Sequence, residues 1–323
     1  MKQRVEEIDF LKFLFILLMI VFHLRYIGDM YPYAKLLVYT FHMPAFLIIS
    51  GYLMNVQKPV LAFLRSMRWI FVPYAVMETG YVLMSAVLPV REKVDDLSFS
   101  LWADKLLLHP LGPYWYLHTL MLCGLTYYVV SRLERIWGNR LSMLIVLGLC
   151  YAGWAQLGIL SLPNALYFAS GVALRWSGID FLRVFRPSLW AILPFVLLAS
   201  FPENLDRAVS GGILLTYLAM SMGLAILNYL PQKVKQVCCY TGGHTFILLV
   251  FSPIFTMLVK PLAGVFAFDT SGMLFLLVSL VITLVGCFVL AWMIDRLHLS
   301  PYFWGKEQML QPFAAWGDKL AGK

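Results

Sequence analysis

Residues 273–294 read MLFLLVSLVITLVGCFVLAWMI, 22 positions without one charged side chain. At about 1.5 Å of rise per residue, a helix of that length crosses a hydrocarbon core roughly 30 Å thick. Lipid offers backbone amides and carbonyls no water to bond, so the segment must satisfy them internally. A barrel strand needs only about ten residues and alternates in polarity, which this run does not. A transmembrane helix is the reading that remains.

Working outward, apolar runs recur along all 323 residues. The windows are 8–27, 35–54, 69–90, 113–131, 141–160, 163–177, 188–202, 209–230 and 241–262, with 273–295 as the tenth. The chain is 61% hydrophobic and 13% charged, against roughly 25% charged in a soluble domain. We therefore expect an all-α, polytopic integral membrane protein of about ten transmembrane helices, with the lipid bilayer as its solvent. The first apolar run starts within eight residues and no small-residue cleavage site follows, so helix one is expected to be retained. No repeat or low-complexity segment marks a boundary, and 1–323 is treated as a single domain.

Lys and Arg divide unevenly between alternate connections, 17 against seven, with Lys12 inside helix one. The richer set includes Lys2, Arg4, Lys58, Arg135, Lys319 and Lys323; the poorer set includes Arg25, Lys35, Arg91, Lys93, Arg207 and Lys260. The richer set belongs in the cytoplasm, which places both termini there. That asymmetry also accounts for the net charge of +8, and no nucleic-acid partner is invoked. Cys123, Cys150 and Cys287 lie in apolar runs and Cys238 and Cys239 are adjacent. None has metal-ligand spacing, so they read as packing residues and no metal is expected.

Ionisable groups at bilayer depth are costly and invite functional readings. Lys12 and His23 stand eleven positions apart, which at 100° per residue returns to one helix face, shared with Asp9, Ile16 and Met19. A cation near the cytoplasmic end and an imidazole roughly 16 Å further along suit a path that draws in an anionic donor. The bland alternative is a snorkelling lysine and a histidine bonded to a neighbouring helix. His42, on the returning helix two, reaches a similar depth and is either a second site histidine or a packed one. Glu78, with Tyr81 one turn on, either orients a base or makes a structural pair. Trp115, Tyr116 and His118 form an aromatic belt or a sugar-stacking platform. Arg65 and Arg68, with Arg132, Arg135 and Arg175 from other loops, match phosphate geometry, although topology alone also places arginines there.

Four pieces in order make the chain resemble the acyltransferase-3 superfamily of membrane O-acyltransferases, its fucose 4-O-acetylase-like branch most of all. They are Ile8-Asp9 with Lys12, ten residues and His23; Phe41-His42-Met43-Pro44 leading into Ile49-Ser50-Gly51-Tyr52-Leu53; Arg65 and Arg68 before Pro73-Tyr74; and Trp115-Tyr116-Leu117. The likeness is best over residues 4–125. Many members end a late helix with a Leu-His or Phe-His step, where this chain reads Leu249-Val250-Phe251-Ser252-Pro253, so no role is carried over to that position.

The resemblance implies a ten-helix protein of the bacterial cytoplasmic membrane. It would move an acyl group, commonly acetyl, from cytoplasmic acyl-CoA to a hydroxyl of a cell-surface or lipid-linked sugar. His23 would be general base or acyl carrier, Lys12 would steer the donor, and His42 would polarise the carbonyl or bind acceptor. Arg65 and Arg68 would meet the CoA phosphates, and Ser50-Gly51 would let backbone approach the thioester. A transporter or flippase of a glycan or lipid intermediate also lines a path with such groups, and a non-catalytic scaffold is the third reading. The polar signal lies mainly in the first half of the chain, which favours an enzyme with an asymmetric site.

Overall fold

The computed structural model describes residues 6–87, 97–133 and 139–313, and every regular element among them is helical. In chain order the helices are α1 (Glu6–His23), α2 (Arg25–Met30), α3 (Pro32–Leu53), α4 (Val60–Val87), α5 (Phe99–Leu107), α6 (Trp115–Arg132), α7 (Arg140–Gln156) and α8 (Leu162–Ser177). They continue as α9 (Phe181–Val184), α10 (Ile192–Ala199), α11 (Ser210–Leu227), α12 (Gln232–Gly243), α13 (Thr245–Leu258), α14 (Leu262–Val265), α15 (Met273–Arg296) and α16 (Ser300–Phe303). Short 3-10 turns occupy Gly112–Tyr114, Leu189–Ala191 and Pro202–Asn204.

Each of the ten sequence windows contains helix. By length and composition α3, α4, α11 and α15 are able to cross a bilayer, and α12 with α13 makes a fifth if that bent pair counts as one span. The chain is an all-helical, multi-pass membrane protein. Lys2, Arg4, Arg91, Lys93, Arg135, Lys319 and Lys323, which entered the charge count, lie outside the described residues.

Three boundaries differ from expectation. Helix one stops at His23, because Leu24 turns extended (φ −68°, ψ 103°) before α2 begins. The third window starts nine residues early: Pro59 is followed at once by helix, so Arg65 and Arg68 ride on α4 and not in a loop. The ninth window is broken. Gly242 and Gly243 are poor helix formers, His244 leaves helical geometry (φ −111°, ψ 22°), and α13 departs at 79° from α12.

The chain packs as two compact units. The first comprises residues 1–46, 180–300 and 306–323. Its centre is α1, whose Leu11, Phe15, Ile16 and Ile20 are fully buried against α11, α12 and α13. A helix apolar on every side is what such a central position needs. Close approach is bought by small residues: a Cβ on Gly242 would collide with the Asp9 carbonyl, and one on Gly223 would meet Leu11 and Leu14. Near the end of α15 the Asp295 carboxylate accepts the amides of Met309 (2.8 Å) and Leu310 (2.9 Å) and the Ser300 hydroxyl.

The second unit comprises residues 47–179 and 301–305. Its helices are stitched by phenol and indole donors that would otherwise be stranded in an apolar interior. Tyr74 donates to the Leu106 carbonyl (2.8 Å), Tyr151 to Cys123 (2.9 Å) and Trp154 to the Thr126 hydroxyl (3.1 Å). The last turns of α3 cross α8 backbone to backbone, with Gly51 against the Phe168 carbonyl and Gly171 against the Ile48 carbonyl.

Candidate active site

In the first unit, His23 ends α1 and His42 sits inside α3. The Nδ1 of His23 stands 2.7 Å from the Met19 carbonyl, and that of His42 stands 2.6 Å from the Val38 carbonyl. A carbonyl oxygen only accepts, so each Nδ1 carries the ring proton and each Nε2 is the bare, basic nitrogen. The Tyr39 ring is near both imidazoles, 5.9 Å from His23 and 5.2 Å from His42. Its hydroxyl donates to the Phe22 carbonyl at 3.1 Å, which ties the first turns of α3 to the end of α1. His42 Nε2 is buried without a hydrogen-bond partner, whereas His23 is only half-buried. Lys35 lies 5.8 Å from the Tyr39 ring, and Lys35 and Arg207 bring positive charge within electrostatic reach of the pair.

One residue beyond His23 begins a cavity of about 300 Å³ in the same unit. Arg25, Tyr26, Asp29, Lys260 and Phe275 are among its walls, with Tyr26 edge-on to Phe275 at 5.1 Å. Aromatic faces beside charged hydrogen-bonding groups are the surface that a polar, ring-shaped ligand requires.

Lys12 is held by Asp9, 2.6 Å away on the same helix and itself almost fully buried. The cation on the His23 face is thus already compensated by a carboxylate.

In the second unit, the remaining sequence candidates turn mostly inward. The Glu78 carboxylate is fully buried and accepts the Leu111 amide, anchoring the loop that leads to Gly112 (φ +59°), where a Cβ would collide with the Tyr81 ring. The buried Tyr116 exchanges a 2.7 Å hydrogen bond with Ser50. The His118 Nε2–H donates to the Leu107 carbonyl at 2.9 Å. Of the expected aromatic platform only Trp115 is left half-buried, its ring edge-on to Tyr116 at 6.3 Å. The space that Gly51 leaves open is filled by the Phe168 carbonyl of α8, so helix packing takes the close approach that the sequence offered to a thioester. Arg65 and Arg68 are exposed on α4, Arg68 lying 5.0 Å from the Trp69 ring.

The sequence profile of a family described as "Acyltransferase domain" matches residues 5–292. The chain belongs to the acyltransferase-3 family. No curated protein and no solved structure matches it. The match runs through both compact units of this membrane acyltransferase.

Sequence reasoning about the acyltransferase passed over three groups. Tyr39 had no charge to draw attention, yet its ring lies near both histidines. His244 lay inside the ninth window and was not singled out; it is buried at the break between α12 and α13, its Nδ1 2.7 Å from the Tyr240 carbonyl. The Gly-Gly step just before it was the available signal. Arg140 counted only towards topology, although with Arg132 it lines a second cavity.

Proposed function

We propose that this acyltransferase moves an acyl group, acetyl in the first instance, from cytoplasmic acyl-CoA to a hydroxyl of a cell-surface or lipid-linked sugar. It would work in a bacterial cytoplasmic membrane, with about ten spans and both termini inside. The observation that carries the reading is the His23–Tyr39–His42 arrangement. Each Nδ1 is tied to a carbonyl of its own helix, so each Nε2 is free to take a proton.

In the reaction we favour, His23 Nε2 removes the proton of the acceptor hydroxyl and the oxygen attacks the thioester carbonyl. The carbon–sulfur bond then breaks, and the departing thiolate takes the proton from the imidazolium, so an ester and a thiol leave and the ring returns to its first state. His23 serves as base because it is the more accessible of the two; His42 polarises the carbonyl or receives the acceptor. The cavity at Tyr26 and Phe275 is suited to the acceptor sugar ring. Lys12 steers the donor only as a member of its pair with Asp9. Arg65 and Arg68 stand exposed on α4 to meet the arriving phosphates.

A transporter builds its path from broken helices in matching halves. Among the described residues one bent pair is long and apolar enough to span, α12–α13, and it lies in the first unit, which favours the enzyme. The test is the base-labile acyl content of surface polysaccharide, read by proton NMR in a deletion strain complemented with wild type or His23→Ala. Return of the ester signal with wild type alone is expected. Equal ester signals in all strains would overturn the proposal.

A further inference from the structure

We propose that a cavity at one end of the second unit, between Arg132 and Arg140, seats the phosphorylated nucleotide end of the donor. The assignment rests on the acyl-CoA reading and adds residues to it. The cavity measures about 270 Å³, and its walls include Val56, Gln57, Ser131, Arg132, Arg140 and Trp176. These residues come from the segment after α3, the end of α6, the start of α7 and the end of α8. That is the side that the distribution of Lys and Arg assigns to the cytoplasm.

Both guanidinium groups are held in place and neither is used up. Arg132 directs Nη2 to the Lys58 carbonyl and to the Tyr128 hydroxyl (2.8 Å). It also lies 4.8 Å from the Tyr128 ring, which is itself stacked on Phe63 at 4.0 Å. Arg140 directs Nη1 to the Trp176 carbonyl at 2.7 Å. Among the described residues, each fork therefore keeps Nε and its second terminal nitrogen as donors. Among the described residues no carboxylate lines the cavity.

Two fixed forks around a concave space are built to meet phosphate oxygens in pairs, and the Trp176 indole, edge-on to Tyr127 at 5.5 Å, brings an aromatic wall for a planar base. Charge asymmetry between loops requires only that arginines face water; it does not require that two of them be braced by carbonyls around one void. The size is also informative. Sites for whole drug-sized ligands run from about 300 to 1,000 Å³, so this cavity takes one end of a long donor and leaves its thioester arm outside.

The test uses the full chain in nanodiscs of phosphatidylcholine, with tritiated acetyl-CoA as probe and adenosine 3′,5′-bisphosphate as competitor. Wild type should bind acetyl-CoA, the bisphosphate should displace it, and Arg132→Gln/Arg140→Gln should weaken binding at least about tenfold. Should that variant fail to fold, Arg132→Lys/Arg140→Lys keeps the charge and loses the fork, and is expected to weaken binding as well. Equal binding by wild type and a folded variant would overturn the seat while leaving the donor reading intact. Failure of wild type to bind acetyl-CoA in any nanodisc would remove the donor reading and the seat together. Loss of binding on adding phosphatidylglycerol, with the bisphosphate unable to compete, would assign the forks to a lipid headgroup and refute the proposal.

Discussion

Replacing His23 with asparagine separates its two ring nitrogens. An asparagine amide nitrogen stands close to where Nδ1 stands, so the bond to the Met19 carbonyl (2.7 Å in the wild type) is retained while Nε2 is lost. A backbone-directed hydrogen bond of this kind contributes about 1 kcal/mol net. Removing a general base costs about 10²- to 10⁴-fold in rate, which at 1.36 kcal/mol per decade is roughly 2.7–5.4 kcal/mol of transition-state stabilisation. The two effects thus differ enough to be told apart. His23→Asn should insert and melt like wild type yet transfer acyl groups no faster than His23→Ala, which should melt slightly lower. The assay is the initial rate of ester formation by purified protein in nanodiscs, beside a thermal melt of the same preparation. An inserted His23→Asn variant with more than about a tenth of the wild-type rate would refute the assignment of Nε2 as base.

Lys12→Ala removes one side of the buried Lys12–Asp9 ion pair. Breaking a buried pair costs about 3–5 kcal/mol, so inserted protein should fall sharply. Removing both charges in Asp9→Asn/Lys12→Met should restore it. If acyl-CoA affinity also returns in the double variant, the pair is structural; if it does not, Lys12 meets the donor. Gly51→Ala drives a methyl group into the Phe168 carbonyl, well inside the roughly 3.3–3.6 Å at which carbon meets a carbonyl oxygen. It should lower stability by about 1–3 kcal/mol, read as a melting shift. A wild-type melt with lost donor binding would return Gly51 to the thioester.

The positions of the helices were legible because a bilayer demands apolar runs of a set length, and all ten windows contain helix. What hydropathy misses is polar helix. The first turns of α4 carry Arg65 and Arg68 and continue straight into the apolar stretch, while α12 is too polar to register although it belongs to the same bent pair as α13. Of the candidate site, Lys12, His23 and His42 were readable as ionisable groups in apolar runs. The pairing of Lys12 with Asp9 was implicit in a three-residue spacing. The inward turn of Tyr116, His118 and Glu78 was not, because the hydroxyl, carbonyl and amide they bond come from other elements of the chain: Ser50, Leu107 and Leu111. Gly51 illustrates the same limit: a missing side chain marks a close approach without saying what approaches.

The carbonyls of Met19 and Val38 also impose a sequence of events. A ring whose one hydrogen is already committed enters the cycle unable to protonate anything, and becomes an acid only after it has first acted as a base. In the reaction proposed above, the hydroxyl must therefore be in place before the sulfur can leave as a thiol. In the proposed reaction, such an order would couple departure of the thiol to arrival of an acceptor hydroxyl, and it would come from one turn of α1 and one of α3.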